Sequence, residues 1–387
     1  MTARERSDWD EAFFAGRRAT SRVKHRVLEA YVEKFSYHMP ELRYADGFAG
    51  TGYYKRADGT TEPGSPVLVA QIAERVHTAR PTFHLRCINV EENPERFRRL
   101  EEATRPYIPH IVEANFQGRF TDYTVDILER FKDLPAFFFI DPFGTKGICF
   151  RDLLPILNRA FTTEALITLH TGGIAKKAGY FRWSDSSVPR KRRVGLAVTE
   201  NLAAALAVSL DTLREWWSAD EIALPDVVLN HYRMQLRAPY TRFQFTKAFP
   251  VFYPSSDGGI SDRVCFYLMF GTQNSTGLYV MNDCMAKAME AFKRESYAGM
   301  LTGFADHLLQ LEHDYAAAAL EREIVTRFSR KPFTVDQVKQ TVMQETLILL
   351  PQGDYRNVIL KLARGERLKK IDPGPASNDR TRFQFVA

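Results

Sequence analysis

The chain reads as an α/β protein built on a Rossmann-like sheet, with a helical insertion and a C-terminal unit of two helices and a hairpin. Three observations lead to that class. Apolar runs of strand length alternate with helical periodicities through most of the chain, the pattern of a doubly wound parallel sheet. Three of those runs end in an acid: Tyr44-Ala-Asp46, Cys87-Ile-Asn-Val-Glu91 and Phe137-Phe-Phe-Ile-Asp141. A glycine-rich turn follows the first at once, in Asp46-Gly-Phe-Ala-Gly-Thr-Gly52.

The elements follow in order. Val23, Val27, Leu28, Tyr31, Val32 and Phe35 recur at helical spacing, so residues 21–35 form an amphipathic helix ahead of the first strand. Gly64-Ser65-Pro66 opens the next helix, with Ser65 as N-cap and Pro66 in the first turn. Ala136 to Ile140 is apolar throughout, as a central strand buried on both faces must be. Residues 150–160 are helical, and Ala165 to Leu169 is a further strand closed by His170. Arg242 to Tyr253 and Arg263 to Phe270 make a hairpin around Ser255-Ser-Asp-Gly-Gly259, followed by a helix over 281–296.

The strand ends carry the chemistry. Gly50 and Gly52 tolerate positive φ and leave no Cβ between backbone and ligand, while Asp46 closes the strand before them. Glu91, at the tip of its strand, is placed to accept hydrogen bonds from both ribose hydroxyls; an acid favoured by a helix dipole is the other reading, and it suits Glu92 and Glu95 better. Asp141-Pro142-Phe143 suits an exocyclic amine: the carboxylate takes its N–H, proline fixes the turn and the phenyl ring stacks on a base, although an Asp-Pro turn with a core phenylalanine has the same sequence. A dinucleotide fingerprint needs G-x-G-x-x-G, and here Tyr53-Tyr54 follow Gly52. The order glycine loop, ribose acid, Asp-Pro-Phe therefore favours an S-adenosylmethionine (SAM) site.

Several of these motifs recur together in a known family. Lys24-His25-x-x-Leu28-x-x-Tyr31, Asp46 to Gly52, Gly64-Ser65-Pro66, Phe139-Ile-Asp-Pro-Phe-Gly144 and Tyr267-Leu-Met-Phe-Gly-Thr272 with Gly277-Leu278 resemble the three-Cys-motif partner family, TcmP, from about residue 20 to about residue 295. The resemblance implies a class I methyltransferase-like fold, a bacterial or phage-type cytoplasmic protein, and a companion that carries a three-cysteine motif and looks like a radical-SAM protein. It also brings Lys24, His25 and Phe48 beside the cofactor loop. One position departs from the usual methyltransferase pattern: the adenine-contacting acid after the third strand is Asn115, which can still hydrogen-bond the adenine edge. Asp-Pro-Phe-Gly is also similar to the motif of tRNA guanine-N2 methyltransferases.

Two segments suggest nucleic acid. The insertion, about 174–240, carries Arg190-Lys191-Arg192-Arg193 near Tyr180, Phe181 and Trp183: cations for phosphates and rings for unstacked bases, or else a solvated face. Helices over 335–347 and 355–365, then strands at 368–371 and 380–385, outline a winged helix whose wing bears Lys369, Lys370, Arg380 and Arg382. The expected organisation is an extension at 1–20, a methyltransferase-like domain at 21–300, a helical linker at 301–332 and a winged-helix-like domain at 333–387.

Composition agrees. The 387 residues are 45% hydrophobic and 26% charged, with 53 Lys+Arg against 47 Asp+Glu for a net +6, an ordinary soluble balance that leaves an anionic partner open. Cys87, Cys149, Cys265 and Cys284 sit singly, as buried thiols in a reducing compartment, and no metal site is expected. No apolar stretch suits a signal peptide or a membrane span, so a cytoplasmic protein is expected. The expected function is SAM-dependent methylation of an exocyclic base amine. The alternatives are a non-catalytic partner that binds nucleic acid, and a methyltransferase of proteins or small molecules.

Overall fold

The computed structural model describes residues 3–55, 59–142, 144, 149–220, 223–255, 259–297, 303–372, 375 and 378–386, with side chains from Thr20 onward. Helix α1 (Ala3–Ser36) precedes β1 (Glu41–Asp46), a small ribbon of β2 (Tyr53–Lys55) and β3 (Thr61–Pro63), and α2 (Ser65–Ala79). Then come β4 (His84–Glu91), α3 (Pro94–Thr104), β5 (Val112–Gln117), α4 (Phe120–Phe131), β6 (Ala136–Ile140), α5 (Phe150–Leu157) and β7 (Thr163–Leu169). The insertion is α6 (Thr171–Ala178), α7 (Phe181–Ser184), α8 (Pro189–Ala205), α9 (Leu210–Ala219) and α10 (Leu224–Leu236). The long strands β8 (Phe245–Pro254) and β9 (Ile260–Thr272) lead into α11 (Ser275–Ser296).

Seven strands form one sheet in the order β5-β4-β1-β6-β7-β9-β8. The first five in that order run parallel, and β9 is antiparallel to both its neighbours. With helices on both faces, this is a mixed α/β, Rossmann-like arrangement. Strand alternation divides β6 between two cores. Phe137 and Phe139 join Val27 and Tyr31 of α1, Ile72 of α2 and Met281 of α11, whereas Phe138 and Ile140 join Phe131 of α4, Leu153 of α5 and Tyr232 of α10. The insertion helices are thus part of the wall on that second face.

The C-terminal part holds α12 (Phe304–Phe328), β10 (Phe333–Thr334), α13 (Val335–Glu345), α14 (Gln352–Arg364), β11 (Leu368–Lys370) and β12 (Arg382–Phe385), with the strands ordered β10-β12-β11. Thr334 and Gln337 form a capping box that starts α13. The segment expected as a linker contributes to this core, since Leu320, Ile324 and Phe328 of α12 pack with Phe333, Val338, Ile359 and Phe383. The unit is also clamped to the sheet domain. Lys247 Nζ donates to the Ile348 carbonyl at 2.7 Å, Asn282 Nδ2 to the Leu350 carbonyl at 2.6 Å, and the Gln352 amide to Asp283 Oδ1 at 2.7 Å.

Other expectations shift at their edges. The segment expected as a separate extension is helical from Ala3, and α11 begins at Ser275 because the Asn274 side chain caps it. Cys149 is half-buried, unlike Cys87, Cys265 and Cys284. Among the described residues no single helix is long and apolar enough to cross a membrane.

A buried carboxyl ties α1 to the sheet. Glu164 on β7, 3% exposed, accepts from the Tyr31 hydroxyl and, at 3.0 Å, from Thr272 Oγ1. Burial raises its pKa to about 7, more than these two hydrogen bonds lower it. A raised folded-state pKa gives stability that is full below the unfolded value and lost as pH rises through the folded one. Urea unfolding of the native chain should therefore show stability falling between about pH 5 and about pH 8. Glu164→Gln should flatten that fall; an unchanged slope would refute the assignment.

Candidate functional site

The site is built at the C-terminal ends of β1, β4, β6 and β7, where side chains leave the two-faced core. Asp46, at the end of β1, is fully buried. Its Oδ1 accepts from the Phe48 amide at 3.0 Å, Tyr44 Oη lies 3.4 Å from Oδ2, and the Ser65 hydroxyl also donates to it. Burial raises the Asp46 pKa to about 7, with the charge of Asp141 acting in the same direction. Ser65 is therefore not the N-cap of α2. Gly64 takes that position, and the Ser65 side chain turns inward to Asp46.

The two glycines of the turn have different duties. Both have positive φ, +66° at Gly50 and +79° at Gly52. Gly50 lines a cavity of about 110 Å³, and a Cβ there would come within 2.8 Å of Tyr54 Oη. At Gly52 a Cβ would lie 2.5 Å from that of Ala103 on α3, so this glycine serves the packing of the turn against a helix, and it does not line the cavity.

Glu91 is the buried acid of its pair, 4% exposed, and its carboxylate is engaged. Oε2 accepts from the Gly50 amide at 2.9 Å; Oε1 accepts from the Asn93 amide at 2.7 Å and from Arg96 Nε at 2.9 Å, with Arg96 Nη2 at 2.8 Å. It braces the glycine turn from behind the cavity. Asn115 is likewise committed. Its Oδ1 accepts from Asn89 Nδ2 at 2.9 Å and its Nδ2 donates to Thr104 Oγ1 at 2.8 Å, joining β4, β5 and α3. Both polar atoms of the expected adenine contact are thus engaged in this conformation, and neither Glu91 nor Asn115 lines the cavity.

The cavity wall brings together residues far apart in sequence: Lys24 and His25 of α1, Phe48, Gly50, Tyr54, Glu62, Ser65, Asp141, Pro142, His170 and Phe266. Lys24 Nζ lies 2.5 Å from Asp141 Oδ2 and 5.0 Å from the centroid of Phe266. Burial alone would push the Asp141 carboxyl up; the Lys24 ammonium outweighs it, helped by the Thr168 hydroxyl and His170, and holds the group below the usual carboxylate range. His25 is lowered to about 4 by burial and by Lys24, so it is a neutral imidazole at physiological pH. Phe143 lies outside the described residues. Tyr54 and Phe266 escaped sequence reasoning: Tyr54 registered only as a break in the glycine pattern, and Phe266 as one apolar position in a hairpin strand.

Arg190, Lys191, Arg192 and Arg193 are exposed in the first turn of α8, and among the described residues none has an ion-pair partner. Cations at a helix N-terminus oppose the helix dipole, so their clustering is unfavourable for the isolated helix and concentrates positive potential. On the terminal unit Lys369 and Lys370 are exposed on β11, and Arg380 is exposed beside β12. Arg382 is neutralised by Asp372, with Nη2–Oδ1 2.7 Å and Nε–Oδ1 3.0 Å. At the N-terminus of α14 the Gln352 amide and side chain both donate to Asp283.

No family model and no curated protein matches the chain. Among solved structures the chain is similar to the crystal structure of a Legionella pneumophila str. Philadelphia 1 protein of the family DUF519. The identity is 12%, the TM-score 0.37, and the alignment covers 66% of this chain and 85% of that one.

The division of labour between glycines is testable by urea unfolding. Gly52→Ala combines a left-handed backbone with a clash and should cost about 2–4 kcal/mol. Gly59→Ala, at φ +81° with nothing within 4 Å of the new Cβ, should cost only the backbone part, about 1–2 kcal/mol. Equal losses would contradict the packing assigned to Gly52.

Proposed function

We propose that this protein is a cytoplasmic SAM-dependent methyltransferase that acts on an exocyclic amine of a nucleic-acid base, together with a three-cysteine-motif companion. The observation that carries the reading is Asp141: a carboxylate at the tip of a central strand, kept ionised although largely buried, in a cavity beside a glycine turn. The sheet order, with a single antiparallel strand one in from the edge, supports a class I methyltransferase sheet. The companion comes from the motif resemblance alone, and the cellular location from that resemblance together with the sequence reading of the apolar stretches and cysteines.

The wall suits the amino-acid end of SAM. The N-terminus of α2 behind Gly64 and Ser65 offers amides to its carboxylate. For the ribose, Glu91 would have to release Arg96, whose side chain is 40% exposed and therefore able to leave. Bound there, SAM supplies an electrophilic methyl group on a sulfonium. Asp141 accepts an N–H of the acceptor amine and turns the nitrogen lone pair toward the cofactor pocket, while Pro142 stiffens the turn that carries it. His170, on the same wall, takes the proton released by the methylated nitrogen when its imidazole is neutral. A base inside a duplex must first leave the stack to enter.

The α8 cluster, with Lys369, Lys370 and Arg380, supplies the phosphate contacts. The order β10, α13, α14, β11, β12, with β12 central in the small sheet, supports a winged helix at 333–387, with α12 packed on it as a preceding helix.

Transfer of labelled methyl groups from SAM to cellular RNA and DNA fractions, with the companion present, tests the function. Asp141→Asn should lower transfer about 100-fold or more while S-adenosylhomocysteine binding persists. No transfer to any fraction would sink the proposal. By calorimetry Glu91→Ala should abolish S-adenosylhomocysteine binding, and Arg96→Ala should tighten it about two- to fivefold, the small scale of an exposed ion pair; weaker binding by Arg96→Ala would make Arg96 part of the cofactor site.

A second reading has its own observation. Glu91 and Asp141, the acids a methyltransferase needs, are both paired internally, as suits a non-catalytic subunit that binds nucleic acid. Nucleic-acid binding indifferent to SAM and to Asp141→Ala would favour it.

A further inference from the structure

We infer that the space held by the Lys24 ammonium, between the Asp141 carboxylate and the face of Phe266, is the binding place of the acceptor's amine-bearing ring, and that Lys24 is displaced when the ring enters. The inference deepens the amine-methylation reading and rests on it.

Lys24 Nζ is 2.5 Å from Asp141 Oδ2 and 5.0 Å from the Phe266 centroid, and all three residues line one cavity. An ammonium placed this way has the two partners that an amino group on a flat heteroaromatic ring requires: a charged acceptor for N–H and a π face. Phe266 is 2% exposed while Lys24 lies on it, and the His170 ring meets it edge-on at 5.5 Å, completing an aromatic corner beside the carboxylate. Lys24 can leave without moving α1, because its four-carbon stem is flexible. Glu62, a second carboxylate on the same wall, receives the displaced ammonium. His25 is neutral and does not compete for Asp141. Lys24 is thus a positioning residue: in the free protein it keeps Asp141 ionised, and the incoming amine meets a carboxylate ready to accept.

The test is equilibrium binding of adenosine, cytidine and guanosine, which carry exocyclic amines, against uridine, which does not. The full chain, Lys24→Met, Lys24→Met with Asp141→Asn, and Phe266→Leu are compared, and methyl transfer is followed in the same preparations. At alkaline pH, where Asp141 is ionised without the help of Lys24, Lys24→Met should bind at least one of the three amine nucleosides about tenfold more tightly, with uridine unchanged. The gain should vanish when Asp141→Asn is added, and Phe266→Leu should weaken the same nucleoside in the otherwise native chain. No amine-selective gain in Lys24→Met, including no binding at all, overturns the inference. If the gain is found and no methyl transfer is, the amine site stands and the methyltransferase reading falls; if transfer is found without the gain, the reverse holds.

Discussion

The burial of β6 on both faces is the constraint on which the rest depends. Five consecutive apolar residues fill two cores at once, and no charge can be accommodated until the strand ends. The first residue past it, Asp141, is thereby delivered to the edge of the sheet, since a shift of one residue inward would put its carboxylate in the place of Ile140 in the apolar core. Asp46 and Glu91 likewise stand at the ends of β1 and β4, each directly after a buried apolar residue, Ala45 and Val90.

Helix α1 is held by two buried carboxyls. Glu164 takes the Tyr31 hydroxyl within the core, and Asp141 takes the Lys24 ammonium at the cavity. The two acids shift in opposite directions for an understandable reason. Glu164 has only neutral donors and rises, whereas Asp141 has a cation and falls. The helix therefore shapes the cavity as well as covering the sheet.

Much of this was legible in the sequence. Apolar runs located the strands, the glycines and strand-end acids located the loops, and one of those acids, Asp141, lines the cavity. What the chain could not disclose is how side chains share partners across long separations. Lys24 and Asp141 are 117 residues apart, and no local pattern announces their contact. Glu91 was correctly singled out as the strand-end acid, yet its engagement by Arg96 and the Gly50 amide depends on how α3 and the turn pack. Ser65 read as an N-cap because its local sequence permits one, but the hydrogen bond to Asp46 is tertiary. Arg382 looked like one of four equivalent wing cations until Asp372, ten residues away, neutralised it.

The clamp on the terminal unit has a geometric consequence. Because Lys247, Asn282 and Asp283 bind it to the sheet domain by direct hydrogen bonds, the exposed lysines of β11 and the mouth of the cavity are fixed points on one frame. Any ligand long enough to reach both would have to match a set span and angle, so the clamp would make the pair of sites a caliper for the ligand's shape.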